Sequence, residues 1–416
     1  MKNEILANLD HPKQLEKLYR EDKQTFKKAF NGLYPEMQNS VVADYWFERL
    51  NFEGIDISRG TGKDLIFIIV ASLIAGIIAK FPTFLPITED FFYPRNIGFI
   101  VFPFLTAYFA WKNKLPIKAT AVIGGAIFIS LVFINSLPHV NANKSDTLIL
   151  SCLHLLLFLW SVLGVAFVSN HLNNHEKRLS FLRFNGDLVV MTTLILIAGL
   201  ILTGITIALF SLIGFQIEEF YFENVAVFGL AAAPLVGTYL TQINPLLVSK
   251  VSPTIAKIFS PLVLITLIIY LVAIIFSGKN PYNDREFLII FNALLIGVMA
   301  LIFFSVAENT RTTRNQLTIF ILFLLSAITV LINGIALSAI LFRISEWGIT
   351  PNRAAVLGGN VLILANLLLV TVKLFQVLTW KGDILEVGKP IASFLPVYCL
   401  WTVVVTFLFP FLFGFK

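Results

Sequence analysis

The sequence contains few charged residues. Asp, Glu, Lys and Arg make up only 13% of the 416 residues, whereas 57% are hydrophobic and 40 residues are Phe. Soluble domains carry roughly 25% charged residues. The shortage therefore argues against a water-soluble fold and predicts an all-α, polytopic membrane protein whose surface faces lipid. The formal net charge of +6 requires no nucleic-acid partner, because basic loop residues orient membrane proteins.

Cysteine and catalytic motifs are also scarce. Cys152 and Cys399 lie within apolar runs, which argues against a disulfide framework and against a cysteine metal site. His171 and His175 are four residues apart without a third ligand nearby, so no metal site is expected. No zinc-protease, serine-nucleophile or phosphate-loop motif occurs. We therefore expect neither an enzyme nor a cofactor.

Residues 1–62 are predicted to form a small cytoplasmic helical domain. Apolar residues recur with helical spacing before and after Pro35. Ten basic and ten acidic residues balance within 1–63, which argues against a polybasic lipid anchor. Two helices bury too little surface to be stable alone, so the domain is expected to dock on the membrane part or on a protein partner. No signal-peptide pattern opens the chain, which predicts an uncleaved first span.

Residues 63–416 are predicted to form a transmembrane helical bundle. Eleven apolar runs approach the ~20 residues that cross a bilayer. The second run is short, so the expected count is ten to twelve. The runs are 64–81, 97–111, 117–137, 147–169, 187–214, 224–247, 258–277, 286–306, 317–342, 354–379 and 392–414.

The distribution of basic residues predicts the orientation of these spans. With the N-terminus inside, the inner segments hold 22 Lys and Arg residues and the outer segments hold eight. Basic residues concentrate on the cytoplasmic side of membrane proteins. The excess predicts a cytoplasmic N-terminus and an external C-terminus.

The segment "RISEWGITPNR", residues 343–353, places three charges between two apolar runs. Gly348 is a natural helix stop, and Thr350 before Pro351 reads as an N-cap followed by the first helical residue. The segment is therefore predicted to be a tight helical hairpin. Arg353 falls at the third helical position, where the helix dipole disfavours a cation. A clamp in which Arg343 and Arg353 both pair with Glu346, an anion site and a partner contact are the open explanations.

A second charged turn, "NPYNDREF" at 280–287, is predicted on the same side. Asn283 and Glu286 have the spacing of a capping box. If the two turns meet, they form an outer charged cluster. Its expected members are Asp284, Arg285, Glu286, Arg343, Glu346 and Arg353.

Polar residues inside spans are costly, which makes them candidates for a substrate site. The sixth span contains a central proline beside small and polar residues, a pattern typical of the broken helices of transporters. A proline kink with threonine back-bonding is the alternative. In the tenth span, Asn366 and Lys373 share a helix face, although helix packing for Asn366 and snorkelling for Lys373 are the commoner explanations. The candidate substrate-binding residues are Pro234, Gly237, Thr238, Thr241, Gln242, Asn366 and Lys373.

The hairpin pattern R-I-x-x-W-G-I-T-x-x-R, preceded by "PYNDREFLIIFNALLIGVMALIFF", resembles a group of multi-spanning bacterial membrane proteins defined by a domain of unknown function. The resemblance covers about residues 280–375. It implies a bacterial inner-membrane protein. It carries no activity to transfer.

Two functions remain open from the sequence. The first is a carrier or flippase for a lipid-like or weakly polar anionic substrate. The second is a non-catalytic membrane subunit or scaffold that recruits a cytoplasmic partner through its N-terminal domain. The few acids within spans argue against a proton- or sodium-coupled pump for hydrophilic solutes. Membrane lipids are the expected partners in either case.

Overall fold

The computed structural model describes most of the chain as helix. The described residues are 2–9, 11–37, 40–51, 62–138, 145–169, 171–212, 214–243, 245–277, 282, 285–309, 316–380 and 383–415. No strand occurs among them, so the described chain is all-α. The chain divides into two compact units, Met1–Ser58 and Arg59–Lys416.

The described residues of the first unit form four helices where the sequence predicted two. They are α1 (Lys2–Ala7), α2 (Pro12–Glu21), α3 (Lys23–Leu33) and α4 (Val41–Asn51), with a 3₁₀ turn at Tyr34–Glu36. Asp22 caps α3, because its Oδ1 accepts from the Thr25 amide at 3.0 Å. The apolar faces of the helices meet around the rings of Phe26 and Trp46, whose centroids are 5.2 Å apart.

An ionic cluster joins α2 to α4 on the surface of this unit. The Glu16 carboxylate pairs with Arg20 Nε and with Arg49 Nη2, each at 2.9 Å. The Arg49 guanidinium carbon also lies 4.7 Å from the centroid of the Trp46 ring. The hydrogen bond from Arg20, together with the positive charges of Arg20 and Arg49, lowers the pKa of Glu16. The cluster therefore favours the ionised carboxylate in the folded chain.

The second unit begins with α5 and ends with α18. Its helices are α5 (Gly62–Ala79), α6 (Phe81–Phe84), α7 (Glu89–Lys112), α8 (Ile117–Ser136), α9 (Asp146–Val168), α10 (His175–Leu212), α11 (Glu218–Phe220), α12 (Val227–Ile243), α13 (Pro245–Ser277), α14 (Arg285–Asn309), α15 (Gln316–Trp347), α16 (Pro351–Trp380), α17 (Leu385–Val403) and α18 (Phe409–Leu412). Two π-helical turns interrupt the pattern, at Tyr221–Ala226 before α12 and at Val404–Leu408 after α17.

Eight helical stretches of the described chain are long and apolar enough to cross a membrane: α5, α8, α9, α10, Glu218–Ile243 (α11 to α12), α15, α16 and Leu385–Leu412 (α17 to α18). Two shorter apolar stretches, Pro253–Ile269 and Asn292–Ala307, lie in α13 and α14. The seventh helix has 24 residues but contains Pro94 and Pro103. The structure therefore has the helices of a multi-pass membrane protein, and the count of eleven stays a prediction.

The long helices alternate in direction, which gives the bundle two ends. At one end, named the Gly62 end, Lys112 of α7 contacts Gln242 of α12. At the other, named the Gly348 end, Arg95 of α7 donates to the Ile134 carbonyl of α8 at 3.2 Å. Short connections between successive helices produce this antiparallel order.

Apolar side chains of the second unit form two main cores. The first, the α5–α12 core, is built from α5, α7, α8, α9, α10 and α12 around Tyr108 and Leu163. The second, the α13–α17 core, is built from α13 to α17 around Leu322 and Leu367, and Leu179 of α10 joins it. Many apolar side chains outside the cores are exposed, as expected for a lipid-facing surface.

The first half of α10 connects the two cores through arginine side chains. Arg183 Nε donates to the Ala307 carbonyl of α14 at 3.0 Å. Arg178 Nη1 donates to the Ala392 carbonyl of α17 at 3.0 Å. Pro396 lies four residues after Ala392 and has no N–H to offer that carbonyl. Arg178 therefore satisfies a carbonyl that the proline leaves open.

Close packing at glycine strengthens the same connection. The Phe304 ring of α14 lies against Gly186 of α10, where an added Cβ would be 2.0 Å from a ring carbon. Leu179 of α10 lies against Gly388 of α17 in the same way, at 2.4 Å. Small residues permit such close approach between membrane helices. The two cores therefore meet along α10.

Candidate functional site

The hairpin between α15 and α16 has the predicted turn. Gly348 has φ +74°, the left-handed conformation that favours glycine at a helix end. The Thr350 hydroxyl accepts from the Arg353 amide at 3.3 Å, as an N-cap does. Arg353 Nη1 donates to the carbonyls of Trp347 and Gly348 at 2.9 and 2.7 Å. The cation at the start of α16 is thus held by the carbonyl end of α15.

The expected ion pair between Arg353 and Glu346 is not formed. Glu346 is exposed, and the described part of the chain contains no ion pair to it. The helix dipole explains the difference, because carbonyls at the negative end of α15 attract the Arg353 guanidinium. The clamp interpretation of these two residues is therefore wrong, although the helical turn that motivated it is present.

The remaining members of the outer charged cluster are only partly described. Arg343 is buried and its Nε donates to the Tyr282 carbonyl at 2.9 Å, which links the two turns. Its guanidinium carbon lies 5.7 Å from the centroid of the Trp347 ring, and that of Arg353 lies 5.6 Å from it. Asp284 lies outside the described residues. Arg285 and Glu286 begin α14, but their side chains lie outside the description.

The sixth predicted span is helix α12, and it is not broken at its proline. Pro234 lies inside the continuous helix, and the Thr238 hydroxyl donates to the Pro234 carbonyl at 2.9 Å. Gly237 lies against Thr192 of α10, where an added Cβ would be 2.8 Å from the threonine hydroxyl. Thr241 is buried and donates to the Thr238 carbonyl at 2.8 Å. The threonine back-bonding of the alternative explanation is therefore present. The unwound helix of the first explanation is wrong, because back-bonding and packing accommodate the proline.

Gln242 takes part in a polar network at the Gly62 end. Its Oε1 accepts from Lys112 Nζ of α7 at 2.9 Å. Lys112 Nζ also donates to the Tyr108 hydroxyl at 3.2 Å, and that hydroxyl donates to Asp64 Oδ1 at 3.3 Å. The network joins α5, α7 and α12. The sequence interpretation included Gln242 and missed the other three, although each lies near a span end where charge is tolerated.

Asn366 lies in the α13–α17 core and is completely buried, with 0% exposure. Its Nδ2 donates to the Tyr398 hydroxyl of α17 at 3.0 Å. That hydroxyl lies 3.7 Å from Met299 Sδ of α14, a weak acceptor. Asn366 Oδ1 accepts no hydrogen bond within the described chain. We call this arrangement the Asn366–Tyr398 pair.

A second asparagine group joins α14, α15 and α16. Asn333 Nδ2 donates to the Asn360 carbonyl at 3.1 Å, and Asn360 Nδ2 donates to Asn292 Oδ1 at 2.8 Å. Asn333 is buried, and its Oδ1 also accepts no hydrogen bond from the described residues. Two amide oxygens in this core therefore lack donors. Each unpaired buried acceptor costs about 1–3 kcal/mol.

The predicted substrate residues divide between the two cores. Five lie on α12, which packs on α5 and α10, whereas Asn366 and Lys373 lie on α16. Lys373 is partly exposed and makes no hydrogen bond or ion pair that the described residues supply. The sequence interpretation missed Tyr398, because an aromatic residue in an apolar run is ordinarily a packing residue.

The chemistry available in the α13–α17 core is hydrogen-bond acceptance by neutral amides. Among the described residues, no group of three His, Cys, Asp or Glu side chains could hold a metal ion. The two unpaired oxygens fit a ligand group that carries N–H or O–H donors. No family model matches this chain, and neither a curated protein nor a solved structure matches it.

Proposed function

We propose that this protein is a membrane carrier or flippase for a lipid-like substrate, and that the Asn366–Tyr398 pair contacts the polar group of that substrate. The observation that carries the proposal is the completely buried Asn366 Oδ1, which accepts no hydrogen bond from the described chain. A bound donor would remove the cost of that unpaired acceptor. Intramembrane polar groups commonly mark substrate pathways.

The unpaired atom defines the class of substrate. A neutral amide oxygen accepts hydrogen bonds and repels an anion, so the group that fits it is a hydroxyl or an ammonium. Val397 and Leu400, which flank Tyr398 on α17, are exposed on the apolar surface. A substrate with an acyl chain could therefore reach the pair from the surrounding lipid. These features favour a headgroup donor over the anionic substrate that the sequence suggested.

The two cores support a carrier mechanism. Carriers move one helical bundle against another around a site near mid-depth. Here the α5–α12 core and the α13–α17 core meet along α10, through arginine-to-carbonyl bonds and glycine contacts. Helix α9 adds contacts to α16 and to the π-helical turn after α17, through Leu150, Ala355 and Val405. Movement of the α13–α17 core along α10 would expose the Asn366–Tyr398 pair to each leaflet in turn.

A lipid translocation assay tests the proposal. The full-length protein is placed in vesicles that contain acyl-labelled fluorescent lipids, and dithionite quenching measures movement between leaflets. Lipids with ethanolamine or glycerol headgroups should move, whereas choline, which lacks N–H and O–H donors, should move less. Asn366→Leu should slow movement about tenfold, equal to about 1.4 kcal/mol.

The matched control is Thr379→Val, an exposed position on the same helix. It should leave the rate unchanged. Unchanged melting temperatures would show that both variants fold. Wild-type rates in Asn366→Leu, or no movement of any lipid by the native chain, would contradict the proposal.

The orientation and location belong to the same proposal. We propose eleven crossings, with the N-terminus and the Gly62 end in the cytoplasm and the Gly348 end outside, as the charge distribution favours. The resemblance to the domain-of-unknown-function group suggests the inner membrane of a bacterium. In a cysteine-free background, the thiol of Glu346→Cys should react with a membrane-impermeant reagent added to intact cells. The thiol of Lys114→Cys should react only after the cells are permeabilised. The reverse labelling would overturn the orientation.

A second candidate function is a scaffold that recruits a protein partner. The observation that favours it is the exposure of two apolar side chains one turn apart on α4, Val41 at 69% and Tyr45 at 74%. Tyr45→Glu should abolish a cross-link between the first unit and a protein neighbour in native membranes. An unchanged cross-linking pattern would count against a role of this face in recruitment.

A further inference from the structure

We propose that Lys80 and Asn224 form an anion-binding site at the Gly348 end, which takes one phosphate or carboxylate group. Lys80 follows the last residue of α5, and only 8% of its surface is exposed. Its ammonium donates to the Asn224 Oδ1 atom of the π-helical turn before α12. This site lies apart from the Asn366–Tyr398 pair and does not depend on the proposed function.

The charge of Lys80 is the argument for an anion. Its described contacts are the Asn224 amide and the face of the Phe84 ring, 5.6 Å from the ammonium. No carboxylate within the described part of the chain forms an ion pair with it. A buried ammonium without a counter-charge costs several kcal/mol. A bound anion would supply the missing charge and accept from the remaining N–H groups.

The surrounding helices hold the two residues together. The Phe228 ring of α12 lies against Gly76 of α5, where an added Cβ would be 2.1 Å from a ring carbon. This contact brings the start of α12 to the end of α5, one turn before Lys80. The Tyr93 hydroxyl of α7 donates to the Ala79 carbonyl at 3.0 Å and fixes the residue next to Lys80. Helical turns of the π type often occur at functional sites.

Access to the ammonium is through the short helix α6. Its last residue, Phe84, is exposed, as is Leu85, whereas the ring of Phe81 at its start lies 6.1 Å from that of Phe92 of α7. Movement of α6 would admit an anionic headgroup from the lipid or a free anion from water. The acids that precede Asn224 in the chain, Glu218, Glu219 and Glu223, are exposed.

The test measures the melting temperature of the full-length protein in detergent micelles. The probes are phosphatidylglycerol, phosphatidylcholine, and inorganic phosphate against chloride at equal ionic strength. Phosphatidylglycerol should raise the melting temperature by about 3 °C through preferential binding to the folded chain, and phosphatidylcholine should not. An equal rise with inorganic phosphate would show that a free anion is sufficient to occupy the site. A rise with phosphatidylglycerol alone would identify the lipid headgroup as the ligand.

Variants at Lys80 decide the proposal. Lys80→Met should abolish the anion-dependent rise, and should not lower the melting temperature in phosphatidylcholine, because it removes an uncompensated charge. Lys80→Arg should keep the rise. The control Lys118→Met, at an exposed lysine on α8, should also keep it. If Lys80→Met does not fold, Asn224→Leu provides the second variant and should reduce the rise. A full rise in Lys80→Met or in Asn224→Leu would overturn the proposal.

Discussion

Arg353 Nη1 lies 2.9 Å from the carbonyl oxygen of Trp347, across the turn that joins α15 to α16. The same atom donates to the Gly348 carbonyl at 2.7 Å. One side chain from the start of α16 therefore satisfies two carbonyls at the end of α15. Helix ends leave such carbonyls without partners, and basic side chains can satisfy them.

Removal of this contact should destabilise the hairpin. Arg353→Gln is expected to cost about 1–2 kcal/mol, because two carbonyls lose a charged donor. Glu346→Gln should change stability by less than about 0.5 kcal/mol, since Glu346 is exposed and forms no ion pair to a described residue. Thermal unfolding of the full-length variants in micelles gives the comparison. Equal destabilisation by the two variants would restore the clamp interpretation.

The contact between Arg178 and the Ala392 carbonyl should depend on a proline. Arg178→Met leaves that carbonyl without a donor and should cost about 1–3 kcal/mol. Pro396→Ala supplies a backbone N–H to the same carbonyl, so Arg178→Met should cost much less in that background. A double-mutant cycle on melting temperatures isolates this term. Arg178→Met also removes the hydrogen bond from Arg178 Nε to the Leu172 carbonyl in both backgrounds, so the cost of that loss cancels in the cycle. Equal costs in both backgrounds would show that the arginine stabilises through other contacts.

Adjacent glycines on α16 should respond oppositely to alanine. At Gly358 an added Cβ would lie 2.1 Å from a ring carbon of Trp401, so Gly358→Ala should cost about 1–3 kcal/mol. At Gly359 the nearest atom is Trp401 Nε1 at 4.0 Å, so Gly359→Ala should be neutral or stabilise by up to ~1 kcal/mol. Melting temperatures of the two variants provide the measurement. A similar loss in both would mean that Trp401 does not pack on Gly358.

The ionic cluster of the first unit predicts a pH dependence. The pKa of Glu16 is lowered by Arg20 and Arg49 from an ordinary value of 4.5. Because the folded value lies below the unfolded value, its contribution is present above pH 4.5 and is lost as pH falls through the folded pKa. At pH 7, amide hydrogen exchange of residues 12–50, corrected for intrinsic rates, should therefore be faster in Glu16→Gln than in the native chain. The difference should shrink as pH falls from 4.5 through the folded pKa. A constant difference across this range would exclude the carboxylate as its origin.

The hairpin shows how far sequence reasoning extends. Gly348 and the Thr350–Pro351 pair predicted the turn, because a left-handed glycine and an N-cap are local requirements, and the structure has both. The partner of Arg353 was not predicted. Which group Arg353 contacts depends on where the carbonyls of Trp347 and Gly348 point after the turn, and only the folded geometry determines that direction.

Long-range contacts mark the limit of that reasoning. Gln242 was expected in a site, but its partner Lys112 lies 130 residues away and on another helix. Pro234 suggested a broken helix, whereas α12 is continuous because a threonine and two packed helices accommodate it. Asn366 was identified from its polarity within a span. Its partner Tyr398 resembles any aromatic packing residue until α16 and α17 are brought together.

The most direct test of the proposed function is photo-crosslinking at the Asn366–Tyr398 pair. The full-length protein in vesicles is irradiated with an ethanolamine lipid that carries a diazirine next to its headgroup, and mass spectrometry locates the adducts. We expect adducts on α16 near Asn366 and on α17 near Tyr398, lost in Asn366→Leu and kept in Thr379→Val. Adducts confined to the exposed apolar surface, and unchanged in Asn366→Leu, would contradict the proposed function.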